Sequence, residues 1–428
     1  MGELDLLKFN VQYATLCSIF SPNTNNALIL TLSHLYKFCN LCILYMIWLP
    51  FFYELYLAEN LKITDYSLTV MNIGCYVCSI LTLHFFIHNG KNGRRLIEHL
   101  NRVFKYRADR GIVEISMEET DENTKKITRA FLSLLTAGVL SMTAIPILMK
   151  GRILPLPGMY PGLDTKNNTF HYIEVYTLQA VGQIVVAQIT ASSDTLFICT
   201  LLVTSQQLTV LGADICNCLY NALLYHGVTQ EEVLQLKETF EGTKHSKWSS
   251  EGKPIESNRI MEIINSQGFK IRLVQLLTKY IKHHQEILYF CEKIESYFLP
   301  LIFMKVCISM FYHVFITFAL LHSTEIGLVL TLIQYETCAI TELLVFAFAG
   351  QTLIDKSEKL HQDVFESPWY VCDVKYQKYI LMILMRTGRT TKISVGKLAT
   401  MSLPTFLLIM KTALSYLAVL RQVTDTTV

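Results

Sequence analysis

The 428-residue chain is 51% hydrophobic and 17% charged, with a formal net charge of +2, whereas an ordinary soluble domain carries about 25% charged residues. So small a net charge excludes a strongly basic nucleic-acid binder and a partner chosen by bulk charge. The apolar excess describes a chain that crosses a membrane several times. Roughly 20 residues of helix cover the ~30 Å hydrocarbon core of a bilayer, so apolar runs of about that length are read as spans.

In chain order, Met1 to Asn26 has no basic start followed by a continuous apolar run and cleavage site, so no removable signal peptide is expected. The first two spans are predicted at His34–Leu57 and Tyr66–Ile87. A polar, charged segment leads to a third at Ala130–Met149, and a Pro- and Gly-rich loop to a fourth at Thr177–Leu202. A long hydrophilic stretch then runs to Glu295, followed by spans at Tyr297–Leu321 and Ile326–Gly350 and a last one at Pro404–Val423. The predicted fold is an all-α membrane protein with seven transmembrane helices.

The hydrophilic stretch is not a plain linker. Leu208, Leu211, Ile215 and Leu219, then Ile271, Val274, Leu277 and Ile281, recur at helical spacing and read as extensions of spans four and five. Glu241 to Ser257, rich in Gly, Ser, Lys and Glu, reads as a flexible insertion. Thr352–Leu360 and Val374–Thr387 are further helices with charged faces. The organisation expected is therefore 1–203, N-terminal tail and spans one to four; 204–295, cytoplasmic helical extension; 296–352, spans five and six; 353–400, cytoplasmic anchor helix and connection; and 401–428, last span and tail.

Lys and Arg concentrate in loops that stay cytoplasmic. Ten lie between spans two and three and ten between spans four and five, against Lys62 alone after span one, three after span three and none between spans five and six. The N-terminus is thus expected inside and the C-terminus outside. The acceptor Asn167-Asn168-Thr169 then falls in an outer loop, where a glycan on Asn167 is feasible.

The last span carries Lys411, Thr412, Ser415, Tyr416, Arg421 and Gln422, which are costly facing lipid and point to water or protein on one side. Ser415-Tyr416, five residues, then Gln422-Val423 resembles the Tyr-x5-Gln signature in the last helix of insect chemoreceptors. Ser367-Pro368-Trp369-Tyr370, Lys378 through Arg386, Thr405-Phe406 and Lys411-Thr412 extend the resemblance to the insect odorant receptors. That resemblance implies an odorant-gated, poorly selective cation channel of four subunits held by a helical bundle below the membrane. Val419 and Val423 match the family's hydrophobic gate and Gln422 its pore glutamine. Such an apolar ring stops ions by dewetting. The partner implied is a shared coreceptor subunit, and this chain, lacking the coreceptor's long loop insertion, reads as the odorant-tuning subunit in the plasma membrane of a sensory neuron dendrite.

In the family the odorant pocket lies in the outer half of the bundle, between spans two, three, four and six. With the orientation above, the candidates are Val70, Met71 and Tyr76, Ser141 and Ile147, Tyr176 and Val181, and Leu332 and Tyr335. Tyr76 and Tyr335 lead, because a hydroxyl on an aromatic ring can orient an ester, alcohol or aldehyde. Glu336 and Glu342 in span six either bias opening or pair with Lys305 or His313 of span five. His283-His284 reads as solvated. The Cys39/Cys42 and Cys75/Cys78 pairs read as small apolar fillers in helices, not metal sites. No cofactor is expected, and no Walker loop, His-Glu-x-x-His or nucleophile elbow suggests an enzyme.

Two other receptor classes remain open. A gustatory receptor would share the last-helix signature. A G-protein-coupled receptor would need a cytoplasmic C-terminus, and the chain has neither Asp-Arg-Tyr at the end of span three nor Asn-Pro-x-x-Tyr in span seven. A retinal-binding pump, with Lys411 as its Schiff base, lacks a counter-ion carboxylate in span three.

Overall fold

The computed structural model describes residues 6–57, 63–109, 115–148, 152–245 and 257–427. Its elements in order are α1 (Lys8–Leu16), α2 (Ala27–Leu57), α3 (Ile63–Val103), α4 (Glu118–Leu148), α5 (Thr169–Cys216), α6 (Cys218–Tyr225), α7 (Gln230–His245), α8 (Ser257–Asn265), α9 (Gln267–His322) and α10 (Ile326–Glu366). A 3-10 turn at Trp369–Val371, α11 (Val374–Thr387), a two-stranded hairpin of β1 (Ser394–Val395) and β2 (Ala399–Thr400), and α12 (Leu403–Thr427) complete it. Most of Glu241–Ser257, the expected flexible insertion, lies outside the described residues.

Among the described residues, six helices, α2, α3, α4, α5, α9 and α10, are long and apolar enough to cross a bilayer. The apolar part of α12, Leu403–Val419, is shorter, yet the whole helix has 25 residues, which at about 1.5 Å per residue exceeds a ~30 Å core. Helices α5 and α9 run for 48 and 56 residues, about twice the length a bilayer needs. That surplus, with the far ends of the 41-residue α3 and α10, forms the polar part of the molecule, so the segments after the second, fourth and sixth spans begin as unbroken continuations of the spanning helices.

Local chemistry sets several of the ends. The Asn168 side chain accepts from the Phe170 amide at 2.9 Å at the start of α5, Ser266 from Phe269 at 3.3 Å at the start of α9, and Asp373 from Tyr376 at 3.3 Å at the start of α11. Before α7, Thr229 and Glu232 exchange hydrogen bonds as a capping box.

Helix α5 is the axis of the bundle. Of its most apolar stretch 83% is buried within the chain, against 12% for α4 and 17% for α2, so α4 and α2 are left to meet lipid or partners. Along the α5 extension Leu208, Leu211, Ile215 and Leu219 are all buried. The inward face of the α9 extension is rotated from the one its spacing suggested: Leu277 is buried as expected and Val274 and Ile281 are half-buried, but Ile271 is 51% exposed, and Phe269, Leu273 and Tyr280 complete the buried stripe. His284 continues that stripe and His283 flanks it, so the pair is buried rather than solvated. His283 is bonded to Gln207 at 3.2 Å, and the Gln207 amide in turn clasps both backbone groups of Lys105 at the end of α3, at 3.1 and 2.6 Å.

The approach to α12 is fixed by backbone contact. A Cβ added at Gly350 of α10 would lie 2.3 Å from the Met401 carbonyl oxygen, so only glycine lets the chain pass. In the hairpin turn before it, Gly396 and Lys397 both take φ of 59°. Both are left-handed turn positions.

Candidate functional site

A cavity of about 170 Å³ opens among α3, α4, α5, α9 and α10. An apolar cavity of ~150 Å³ holds a benzene-sized molecule, so this one suits a ring or short chain with a substituent. Phe131, Leu135 and Val139 of α4 and Val186 of α5 make much of its wall apolar. Its end away from the helical extensions is roofed by the connection between α4 and α5. The Gln179 side chain bonds the backbone N–H and C=O of Leu156 at 3.0 and 3.2 Å, and Leu156, 3% exposed, reaches into the cavity.

The polar groups are few and specific. Gln183 of α5 lines the cavity, is 7% exposed, and neither its amide oxygen nor its nitrogen has a partner among the described residues. The Tyr76 hydroxyl, on a side chain 2% exposed, is also unpartnered. An unmet buried polar group costs about 1–3 kcal/mol, a deficit that a bound ligand can remove. The Tyr335 hydroxyl donates weakly to Asn72 at 3.4 Å. Gln334 donates to the Gly138 carbonyl at 2.6 Å and accepts from the Ser141 hydroxyl at 2.6 Å, tying α10 to α4 across the rim.

At the end nearest the helical extensions the wall is charged. Lys305 of α9 donates to Asp194 of α5 and, at 3.1 Å, to Glu342 of α10. Lys305 and Asp194 are 9% and 1% exposed, and Lys305 and Glu342 both line the cavity. One turn and a half up α10, Glu336 pairs with His313 of α9 at 2.9 Å. Both span-six carboxylates thus have the span-five partners weighed for them.

Of the nine ligand candidates, Met71, Tyr76 and Tyr335 line this cavity. Leu332 is fully buried behind it with Met71, Ile316 and Ala319. Ser141 reaches it only through Gln334, and the Tyr176 hydroxyl donates to the Thr143 carbonyl. Val70 is half-buried outside the lining, while Ile147 and Val181 are 68% and 42% exposed on the outer surface. Sequence reasoning passed over Gln183, although a Gln within Val181–Ala187 is a polar group amid apolar neighbours. It also missed the whole α9 wall, where Lys305 and Tyr312 stand. Asn167 is exposed, its amide donating to Asp164 at 2.8 Å. On α12, Val419 is 58% exposed and Gln422 is also exposed; the side chain of Val423 lies outside the described residues.

The fold and cavity define a class: a polytopic helical membrane protein with a largely apolar cavity among its spanning helices and a helical extension beyond them. The family model for the seven-transmembrane odorant receptors matches residues 63–414. Odorant receptor 83a of Drosophila melanogaster is 24% identical over 337 residues, 76% of this chain and 73% of that protein. In fold, the chain superposes on the insect olfactory receptor OR5 from Machilis hrabei with a TM-score of 0.73 at 15% identity, covering 98% of both chains. It superposes on the same receptor in complex with eugenol with a TM-score of 0.72. The chain belongs to the odorant receptor family.

Proposed function

We propose that this chain is the ligand-binding subunit of an odorant-gated cation channel, and that the cavity centred on Gln183 receives the odorant. The single observation that carries this reading is a largely apolar cavity among the spanning helices with an amide left unpartnered inside it. Its size and chemistry fit a compact volatile with one oxygen function, such as an alcohol, ester or aldehyde. The complex of OR5 with eugenol supports a small-molecule ligand in this fold.

Gating follows from which elements meet at the cavity. Helices α9 and α10 supply its charged inner wall and flank α12 on their other side, with Gly350 in contact with Met401. A ligand that fits better when α9 and α10 have shifted favours that state by the difference in its affinities. The shift reaches the last helix, where Val419, Gln422 and Val423 form the pore ring when four copies meet. Exposed apolar side chains of α12, among them Leu407, Leu414 and Val419, suit such an assembly. The complex includes a coreceptor subunit in the plasma membrane of a sensory dendrite, with the N-terminus cytoplasmic and the C-terminus outside.

Whole-cell current from cells expressing the chain with and without an insect coreceptor, with G-protein signalling blocked, tests this directly. A fast odorant-evoked cation current that needs both chains and changes its relative ion permeability with Gln422→Ala is expected. Responses that vanish under the block would instead assign the chain to metabotropic signalling.

A further inference from the structure

We propose that a second pocket, between the inner ends of α3 and α9, binds the phosphorylated headgroup of an anionic membrane lipid. This pocket of about 620 Å³ shares no lining residue with the odorant cavity.

Charge is the first observation. Arg95, His99 and Lys293 line the pocket and no carboxylate does. Glu286 stands 3.9 Å from His99, and Glu98 and Glu292 are exposed on the same helices, all three outside the lining. Arg94 is committed to the protein, donating to the Ser21 carbonyl at 2.6 Å and lying over the Phe20 ring. Its neighbour Arg95 is exposed and turned to the pocket. Lys293 lies 5.1 Å above the Tyr289 ring, which steadies the ammonium without neutralising it.

Chemical order is the second. Beyond the cations come Asn89, Asn92 and Ser296, then Phe85, Tyr297 and Pro300, where the helices become apolar. An anionic head followed by an acyl chain matches that sequence, whereas free phosphate would use only one end. The pocket straddles the predicted ends of spans two and five, the depth of the headgroups. The cation-rich connections on this side mark it as cytoplasmic, the leaflet rich in anionic lipid.

Rigidity is the third. A Cβ at Gly93 would lie 2.3 Å from the Tyr297 hydroxyl oxygen, so α3 and α9 touch here. The Tyr297 hydroxyl donates to the Asn89 carbonyl at 3.1 Å, and its ring meets Phe85 edge to face at 5.3 Å. The walls are thus set before a lipid arrives.

The test is native mass spectrometry of the full chain in nanodiscs of phosphatidylcholine doped with a phosphoinositide, which presents the lipid in both leaflets and so does not depend on orientation. Selective retention of the phosphoinositide is expected. Each cation near an anionic headgroup contributes about fivefold in affinity, so Arg95→Gln with Lys293→Gln should weaken retention about 25-fold. Lys282→Gln, an exposed cation of α9 outside the pocket, should leave it unchanged. Equal loss with Lys282→Gln, or full retention in the double variant, would overturn the proposal. Displacement of the lipid by soluble inositol phosphate or inorganic phosphate at equal concentration would overturn the lipid as the occupant.

Discussion

Gln183 has an amide that folding alone leaves unmet, and its neighbours are apolar because the helix that carries it is the buried axis. Replacing it with Leu removes an orphaned polar group, so the ligand-free protein should be as stable as wild type or more so, while oxygenated odorants lose a partner. Lys305 behaves in the opposite way. Lys305→Met leaves the buried Asp194 carboxylate, with the half-buried Glu342 beside it, without a cation, a change of about 3–5 kcal/mol. Surface expression should fall sharply, and the triple replacement Asp194→Leu, Lys305→Met, Glu342→Leu should restore it, as measured by surface biotinylation. Met71, Tyr76 and Tyr335 were reached through the resemblance to the insect odorant receptors, which pointed to the outer halves of these spans, and they line the cavity. Ile147 and Val181 were not separable from them, because the residue type gives no helix rotation, and only the packed bundle shows which face turns inward.

Among the elements, the contact between α10 and the chain leading to α12 has no slack. Gly350→Ala should strain the Met401 backbone by about 1–3 kcal/mol. Gly268→Ala, whose nearest neighbour is 3.6 Å away on His226, should be neutral or slightly stabilising, because it narrows the unfolded ensemble. Thermal unfolding of the purified chain followed by size-exclusion fluorescence separates the two. The clasp between the end of α3 and α9 makes a pH prediction. Partial burial pushes the Asp109 carboxyl up, but the Lys279 ammonium at 2.7 and 3.0 Å and Lys105 outweigh it and hold it below the usual range. A depressed folded pKa stabilises above the unfolded value, about 3.9, and that contribution disappears as pH falls through the folded one. The melting temperature should therefore fall more steeply between about pH 5 and pH 3 in wild type than in Asp109→Asn. Hydropathy located the spans but not the helix ends, because it marks where the bilayer stops. Helix α3 continues to Val103 and α10 to Glu366 well beyond that point.

Over the whole molecule, the seven helices and their order could be read from apolar length, whereas the inner wall of the cavity could not. That wall needs α5, α9 and α10 to meet, and no local pattern states which long helices share a boundary. The asymmetry of Lys and Arg predicts that a tag after Val428 is reached by antibody on intact cells, and that Asn167→Gln removes a glycosidase-sensitive mass. The central claim is that the cavity around Gln183 selects the ligand. The most direct test is a concentration–response comparison of a volatile alcohol with the hydrocarbon of matched shape, on wild type, Gln183→Leu and Val181→Ala, with the coreceptor present. Loss of a buried hydrogen bond should shift the alcohol response of Gln183→Leu about 5- to 100-fold while leaving the hydrocarbon response alone, and Val181→Ala should change neither. An unchanged alcohol response in Gln183→Leu, or an equal shift for both ligands, would contradict the account.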